Sequence, residues 1–326
     1  MRILMWHVHG SWATAFVQGR HEYVLPVVPD RGPDGLGRAT SWQWPPTARE
    51  VAPADLRDLD LDLVLLQRPQ EVELCREWTG RAPGRDLPAV YLEHNTPKGD
   101  VPFTRHPLGD QREIPIVHVT HFNELFWDNG SAPTTVIEHG IVDPGHLYTG
   151  ELPRAAVAVN EPIRRGRVTG TDLIPRLGPT PVDVFGMRVE GLPRHLGLPA
   201  SRITAHESLR QADLHREMAR RRVYVHTPRW TSLGLSLLEA MHLGMPVVGL
   251  DTTEATRAVP PDAGVLSTRV DDLRAAVERF VADPDEARAV GERARQAALA
   301  RYGLRRFLDD WDALLASMVA SEALAS

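Results

Sequence analysis

Short apolar runs alternate with stretches of helical spacing along most of the chain. The runs are Ile3–Val8, Tyr23–Val28, Leu61–Leu66, Ala89–Leu92, Ile116–Thr120 and Thr135–Glu138, then Ala155–Val159, Val182–Phe185, Val223–His226 and Pro246–Leu250. Helical periodicity lies between several of them, at Gln70–Thr79, Leu209–Arg220 and Ser236–Leu243. Strand and helix signals in alternation predict βαβ units and parallel sheets. The pattern pauses at 141–154, which is rich in Pro and Gly and reads as a linker. From Val270 the chain reads as helices: Asp271–Ala282, then a helix opened by Pro284, then Leu304–Ser317. Residues 29–50, with their many Gly, Pro and Trp, read as an irregular loop. No fixed-period repeat is present. The expected fold class is α/β, with two doubly wound Rossmann-like domains at 1–145 and 155–300 and a terminal helical segment at 301–326. In such sheets ligands bind at the carboxyl ends of the strands, beside helix N-termini.

Composition narrows the function. The 326 residues are about twice the ~150 of one domain. Hydrophobic residues make up 42% and charged ones 25%, as in an ordinary globular protein. A net charge of -6 argues against a nucleic-acid partner, which would call for a basic surface. One cysteine, Cys75, excludes an intramolecular disulfide and a cysteine-based zinc site; it sits in a helical pattern as a core thiol. No apolar stretch is long enough to span a membrane, and the N-terminus is too short and polar for a signal peptide, so a cytoplasmic protein is expected. Two arginine clusters stand out. Arg220–Arg222 read as a solvated face. Arg164, Arg165 and Arg167 read equally as a basic loop or an anion site.

The most informative stretch is Val223 to Leu250. A strand leads through Pro228, Arg229 and Trp230 into Ser232-Leu233-Gly234-Leu235-Ser236, which opens a helix ended by Gly244. The free N–H groups of that helix start make an anion site, and Gly234 lets a phosphate or sugar approach the chain. Leu237, Leu238, Met241 and Leu243 form an apolar face, with Glu239 on the other side, placed to accept hydrogen bonds from hydroxyl groups. Thr227-Pro228, Leu233-Gly234-Leu235, Glu239-Ala240-Met241, Gly244 and Pro246-Val247-Val248 resemble the signature of the retaining glycosyltransferases of family 4. Their GT-B architecture has two Rossmann-like domains facing a cleft.

The resemblance implies a cytoplasmic hexosyltransferase-like enzyme. It moves a sugar from a nucleoside diphosphate donor to a small-molecule or glycan acceptor, with retention and without a metal or other cofactor. It implies that Glu239 holds the ribose, that Gly234, Leu235 and Ser236 hold the donor, and that the last helix packs back on the first domain. The family's first glutamate falls at Thr231, and the lysine of its diphosphate site falls at Thr169; Arg164, Arg165 or Arg167 is left to supply the charge. His94, after the run Ala89–Leu92, matches a histidine that touches the donor sugar and is the catalytic candidate. Gly10 matches the glycine-rich loop bordering donor and acceptor. His9, Ser11 and Trp12 beside it, and His139 in Glu138-His139-Gly140-Ile141, are acceptor candidates, as is the loop of Trp42 and Trp44. Lys98, the sole lysine, is incidental. The chain has no GxGxxG fingerprint of a dinucleotide oxidoreductase. His118 and His121 lack a third ligand at metal spacing, and Asp58, Asp60 and Asp62 read as the polar edge of a strand. Two alternatives stay open: a nucleotide-sugar epimerase of the same architecture, and a degenerate transferase that binds nucleotide without turnover. The sequence leaves the oligomeric state open.

Overall fold

The structure is a computed structural model that describes residues 1–101 and 103–323. It divides into two compact units, Met1–Val142 together with the segment from Leu304, and Asp143–Gly303.

The first unit holds seven parallel strands: β1 (Arg2–Met5), β2 (Glu22–Pro26), β3 (Ala48–Val51), β4 (Leu63–Leu66), β5 (Ala89–Glu93), β6 (Ile116–His118) and β7 (Thr134–Val136), in the order β3-β2-β1-β4-β5-β6-β7. The second holds six: β8 (Leu152–Ala158), β9 (Val182–Gly186), β10 (Ile203–Glu207), β11 (Arg221–His226), β12 (Val247–Leu250) and β13 (Gly264–Ser267), in the order β10-β9-β8-β11-β12-β13. All pairings between named strands are parallel, with Leu4 opposite Val64 and Val225 opposite Val248. The central strands are buried on both faces, which is why they read as unbroken apolar runs.

Three strands absent from the sequence reading, β3, β10 and β13, all lie at sheet edges. An edge strand keeps polar residues, so AREV, ITAHE and GVLS carry no apolar run. β3 also shows that residues 29–50 are not loop throughout. The rest of that segment is tied down by Arg31, whose guanidinium forks onto Glu50 at 2.8 and 3.0 Å, and by Arg38, which donates to the carbonyls of Trp44, Pro45 and Ala48.

The helices of the first unit are α1 (Gly10–Phe16), α2 (Glu71–Thr79) and α3 (His121–Phe126). Those of the second are α4 (Pro162–Arg165), α5 (Leu192–Leu196), α6 (Gln211–Ala219), α7 (Leu235–Leu243), α8 (Ala255–Ala258), α9 (Val270–Ala282) and α10 (Pro284–Tyr302). The last helix, α11 (Leu304–Ala323), belongs to the first unit. Its Phe307 and Trp311 pack with Trp12 and Phe16 of α1, Asp312 meets His21 at 2.8 Å, and Arg306 donates to the carbonyls of Glu138 and His139. Gly140 is required there, because a Cβ would collide with Phe307.

Three expectations need correction. The segment 141–154 is not a free linker: Tyr148 is buried, its hydroxyl donates to the Arg222 carbonyl at 2.8 Å, and its N–H to Leu243. Glu239 is not on an outer face, because α7 is enclosed all round and Glu239 is 5% exposed. Arg220–Arg222 is not a solvated face either. Arg221 is 4% exposed; its Nε donates to Asp183 at 2.7 Å and its Nη1 to Glu217 at 2.6 Å, and its guanidinium lies over the Phe185 ring. Arg154 braces the other oxygen of Asp183. Cys75 is a core thiol, fully buried, and burial pushes its pKa up to about 11.

Removing one partner of a buried pair strands the other charge. Arg221→Ala should therefore destabilise the second unit by about 3 kcal/mol in urea unfolding, and the double change Arg221→Met with Asp183→Leu by clearly less. Equal losses in the two proteins would mean that Asp183 is not held by Arg221.

Candidate functional site

In each sheet one pair of neighbouring strands sends its connections in opposite directions. In the second unit the pair is β8 and β11, in the first β1 and β4. With right-handed crossovers the flanking helices then cover opposite faces, and a crevice is left at the carboxyl ends of the pair.

At this point of the second unit, the loop after β8 and the loop after β11 are stitched together. Gly170 (φ 71°) sits against the Thr227 carbonyl, where any Cβ would collide. Thr227 Oγ1 donates to the Thr169 carbonyl at 2.7 Å. Arg229 forks onto Asp172 at 2.6 and 2.9 Å, and Arg167 reaches the same carboxylate at 3.0 Å. The three predicted arginines thus differ. Arg164 is ion-paired with Glu161, and Arg167 with Asp172. Arg165 is partly buried and, among the described residues, its guanidinium makes no ion pair. Burial, and then the neighbouring Arg164, lower its pKa. The position of the family's lysine, Thr169, is 1% exposed and donates to the Gly166 carbonyl.

Helix α7 starts at Gly234 with no side-chain cap and no acidic residue in its first turn. Its first-turn N–H groups therefore face an uncompensated positive end. Ser236 meets the Tyr224 hydroxyl at 2.9 Å, beneath that turn. Thr231 and Leu235 are partly buried in the approach. One turn in, Glu239 accepts from Gln211 Nε2 at 3.2 Å, and His215 Nε2 lies 3.4 Å away, close to the carboxylate but not hydrogen-bonded to it. Neither residue was read from the sequence. The signal was their i, i+4 spacing, which places both on one face of α6.

In the first unit the switch point gathers residues from four separate segments. His9 follows β1, Gln67 follows β4, His94 follows β5, and His139 precedes the chain's exit. The rings of His9 and His94 lie 3.9 Å apart, and Trp12 meets His94 edge-on at 5.4 Å. Gln67 fixes the tautomer of His94. Its Nε2 donates to the Trp6 carbonyl at 2.7 Å, so its Oε1 faces His94 Nε2 at 3.1 Å. His94 Nε2 must then carry the hydrogen, leaving Nδ1 as a lone-pair acceptor. Burial lowers the pKa of His9 to about 4, of His139 to about 3 and of His94 well below the ordinary value, with neighbouring histidine charge adding to the last two. At neutral pH this is a cluster of three uncharged imidazoles. His139 Nδ1 has no hydrogen-bond partner.

Gly10 is enforced, since a Cβ would lie 2.5 Å from the indole of Trp42. Ser11 is partly buried in the first turn of α1. Trp12 is corrected: at 1% exposure, stacked on Phe16 and met at an angle by Trp311, it is the floor of the cluster and offers no surface for an acceptor. Trp44 is also buried and donates to Thr14 Oγ1 at 2.8 Å. A cavity of about 260 Å³ lies beside Gln67, lined by Arg68, Tyr91, Glu93, Lys98 and Trp127. A larger depression of about 640 Å³ lies at the opposite, N-terminal ends of β9 and β10, away from the switch point, and carries no convergent chemistry. His118 is bonded to Asn129 Oδ1 at 2.9 Å. Among the described residues no His, Cys, Asp and Glu side chains form a group able to hold a metal ion, and no helix is long and apolar enough to cross a membrane.

Residues 163–313, just under half of the chain, covering most of the second unit and the start of α11, match the family model described as glycosyl transferase-like. The chain is similar to the sucrose-phosphate synthase of Thermosynechococcus elongatus (14% identity, TM-score 0.71, covering 98% of this chain and 100% of that one). It is also similar to Anabaena HepE in complex with UDP-glucose (15%, 0.68, 97% and 100%) and to a glycosyltransferase from Rickettsia africae (12%, 0.65, 98% and 98%). No curated protein matches the sequence. The fold is the GT-B fold, two parallel-sheet α/β units over almost the whole length.

The buried histidines set a pH dependence. A histidine with a lower pKa when folded takes up its proton only on unfolding. Its stabilising contribution is complete above about 6.5 and is lost as pH falls toward the folded value. Stability should therefore drop between pH 7.5 and 5. His139→Leu should flatten that drop by about 2 kcal/mol, at ~1.4 kcal/mol per pH unit below 6.5. Chemical denaturation at the two pH values checks this; an unaltered drop would show that His139 is not held neutral.

Proposed function

We propose that the protein is a glycosyltransferase that moves a hexose-type sugar from a nucleoside diphosphate donor to a small-molecule or glycan acceptor, with retention at the anomeric carbon and without a metal. The observation that carries this reading is the switch point of the second unit. It joins an uncapped helix start at Gly234, a buried carboxylate at Glu239 and an unpaired cation at Arg165. HepE, which shares the fold, binds UDP and UDP-glucose, and this supports a nucleoside diphosphate as the donor's carrier.

In this reading the first-turn amides from Gly234 to Ser236 hold phosphate oxygens, and Thr231 lies on the approach. Glu239, held by Gln211, accepts from the ribose hydroxyls. Arg165 stabilises the diphosphate as it leaves; a leaving diphosphate without a metal needs such a fixed cation. Arg164 and Arg167 keep their carboxylate partners and shape the loop. The departing phosphate oxygen accepts the acceptor's proton as the new glycosidic bond forms on the same face. On the first unit His94 accepts a hydrogen bond from a sugar hydroxyl at Nδ1, and Gly10 keeps the backbone thin beside it. The acceptor is held near His9, Ser11 and His139. We place the enzyme in family 4 and in the cytoplasm.

Millimolar UDP, GDP, dTDP and ADP, and their sugars, should be compared by thermal shift; one of them should raise the melting temperature. If none does, the donor-site reading fails. With the best nucleotide, Glu239→Ala and Arg165→Ala should each weaken binding about 10- to 100-fold, the scale of a hydrogen bond to a charged group. Arg164→Ala and Arg167→Ala should change it less than about threefold, the scale of an exposed ion pair. Equal losses across the three arginines would refute the choice of Arg165. Conversion of a sugar nucleotide without any acceptor would favour an epimerase instead, and binding without turnover a degenerate transferase.

A further inference from the structure

His226 is the last residue of β11 and stands at the switch point of the second unit, with no role assigned so far. Two glycines make room for it. Gly249, its register partner on β12, would carry a Cβ 3.0 Å from that of His226. Gly234, the N-cap of α7, faces one edge of the ring: a Cβ there would lie 2.7 Å from Cε1, 3.5 Å from Nδ1 and 3.6 Å from Nε2. The edge bearing both nitrogens is therefore turned toward the residue that opens the helix.

His226 is 3% exposed, and among the described residues its Nδ1 has no hydrogen-bond partner. A buried polar atom left unpaired costs stability, and native structures keep few of them without a function. Burial alone lowers the pKa to about 4, with no charged neighbour contributing, so one nitrogen carries a hydrogen and the ring has no charge. α7 itself has nine residues, no side-chain cap and no acid in its first turn, as a helix that receives an external anion would.

We propose that His226 is a ligand-binding residue whose uncharged imidazole donates one N–H to a phosphate oxygen of the nucleoside diphosphate at the N-terminus of α7. The proposal rests on the donor-site reading above. It explains why a hydrogen-bonding ring is buried between two glycines instead of an aliphatic side chain. It also divides the labour of the site. Arg165 supplies charge, the helix amides supply direction, and His226 supplies a donor from beneath the loop without adding a second cation.

The test compares wild type, His226→Leu and His226→Gln by isothermal titration. The probes are whichever of UDP, GDP, dTDP and ADP raises the wild-type melting temperature most, and the parent nucleoside of that diphosphate. His226→Leu should bind the diphosphate about tenfold more weakly and the nucleoside within about twofold, since one hydrogen bond to phosphate is lost. His226→Gln, which keeps an N–H, should recover affinity to within about threefold. Without ligand the Leu variant should melt no lower than wild type, because an unpaired buried nitrogen has become carbon; a purely structural histidine predicts the reverse. If the Leu variant does not fold, His226→Phe takes its place. Wild-type affinity in the Leu variant, or an equal loss for nucleoside and diphosphate, would overturn the proposal while leaving the donor-site reading intact. If wild type binds none of the four diphosphates, both fall together.

Discussion

Parallel pairing is the constraint on which the rest of each unit depends. A parallel neighbour can be reached only by a crossover, and crossovers of one hand place their helices on one face until the direction of winding reverses. The reversal between β8 and β11 leaves two loops at the carboxyl ends of two central strands with no helix laid across them. Those loops must then satisfy each other. The Thr227 hydroxyl on the Thr169 carbonyl, the fork of Arg229 on Asp172, and Gly170 pressed on the Thr227 backbone do that work. The result is a rigid rim around a helix start whose own N–H groups are uncompensated.

Charge in both units is arranged to hold loops in place more than to cover the surface. Of the residues around the second unit's switch point, Arg164, Arg167 and Arg229 are committed to carboxylates, which leaves Arg165 as the cation without one. The first unit takes a different course. His9, His94 and His139 are kept uncharged by burial, and the one tautomer the structure fixes is set by an amide, Gln67, which is itself oriented by a backbone carbonyl. A cluster of this kind offers lone pairs and N–H groups without charge, and its protonation changes little with pH near neutrality.

What could be read from the sequence follows from burial. The nine central strands are apolar and were visible as runs, as was one edge strand, β7. The edge strands β3, β10 and β13 keep one polar face and left no such trace. α1 was missed for the opposite reason: in GSWATAF nearly every position is buried, so no period of 3.6 separates an inner from an outer face. Glu239 was found as chemistry and misplaced as geometry. A glutamate in an apolar helix reads as the solvent side, and only the packing of α6 shows that Gln211 and His215 wait for it. Arg221 was misread in the same way, because Asp183 lies on another strand 38 residues away and no local pattern links them.

The two departures from the family pattern have different physical meanings. At Thr169 a lysine would have to start from a position that is 1% exposed, whose hydroxyl closes its own loop on the Gly166 carbonyl and whose carbonyl ties that loop to Thr227. A cation there would be buried at the cost of those ties, so the tight loop junction and a lysine at this position exclude each other. Arg165, four residues earlier and next to Gly166, where a Cβ would meet nothing within 4 Å, carries a planar cation outside the junction and leaves those ties intact. Thr231 has no such structural commitment. It is partly buried on the approach to α7, and a glutamate would add a negative charge where the helix start draws an anion. A neutral hydroxyl there carries no charge to repel an anion, and it can both donate and accept a hydrogen bond where a carboxylate only accepts. Thr231 in place of a glutamate thus keeps the approach to α7 free of a carboxylate, in line with a first turn that carries no acid of its own.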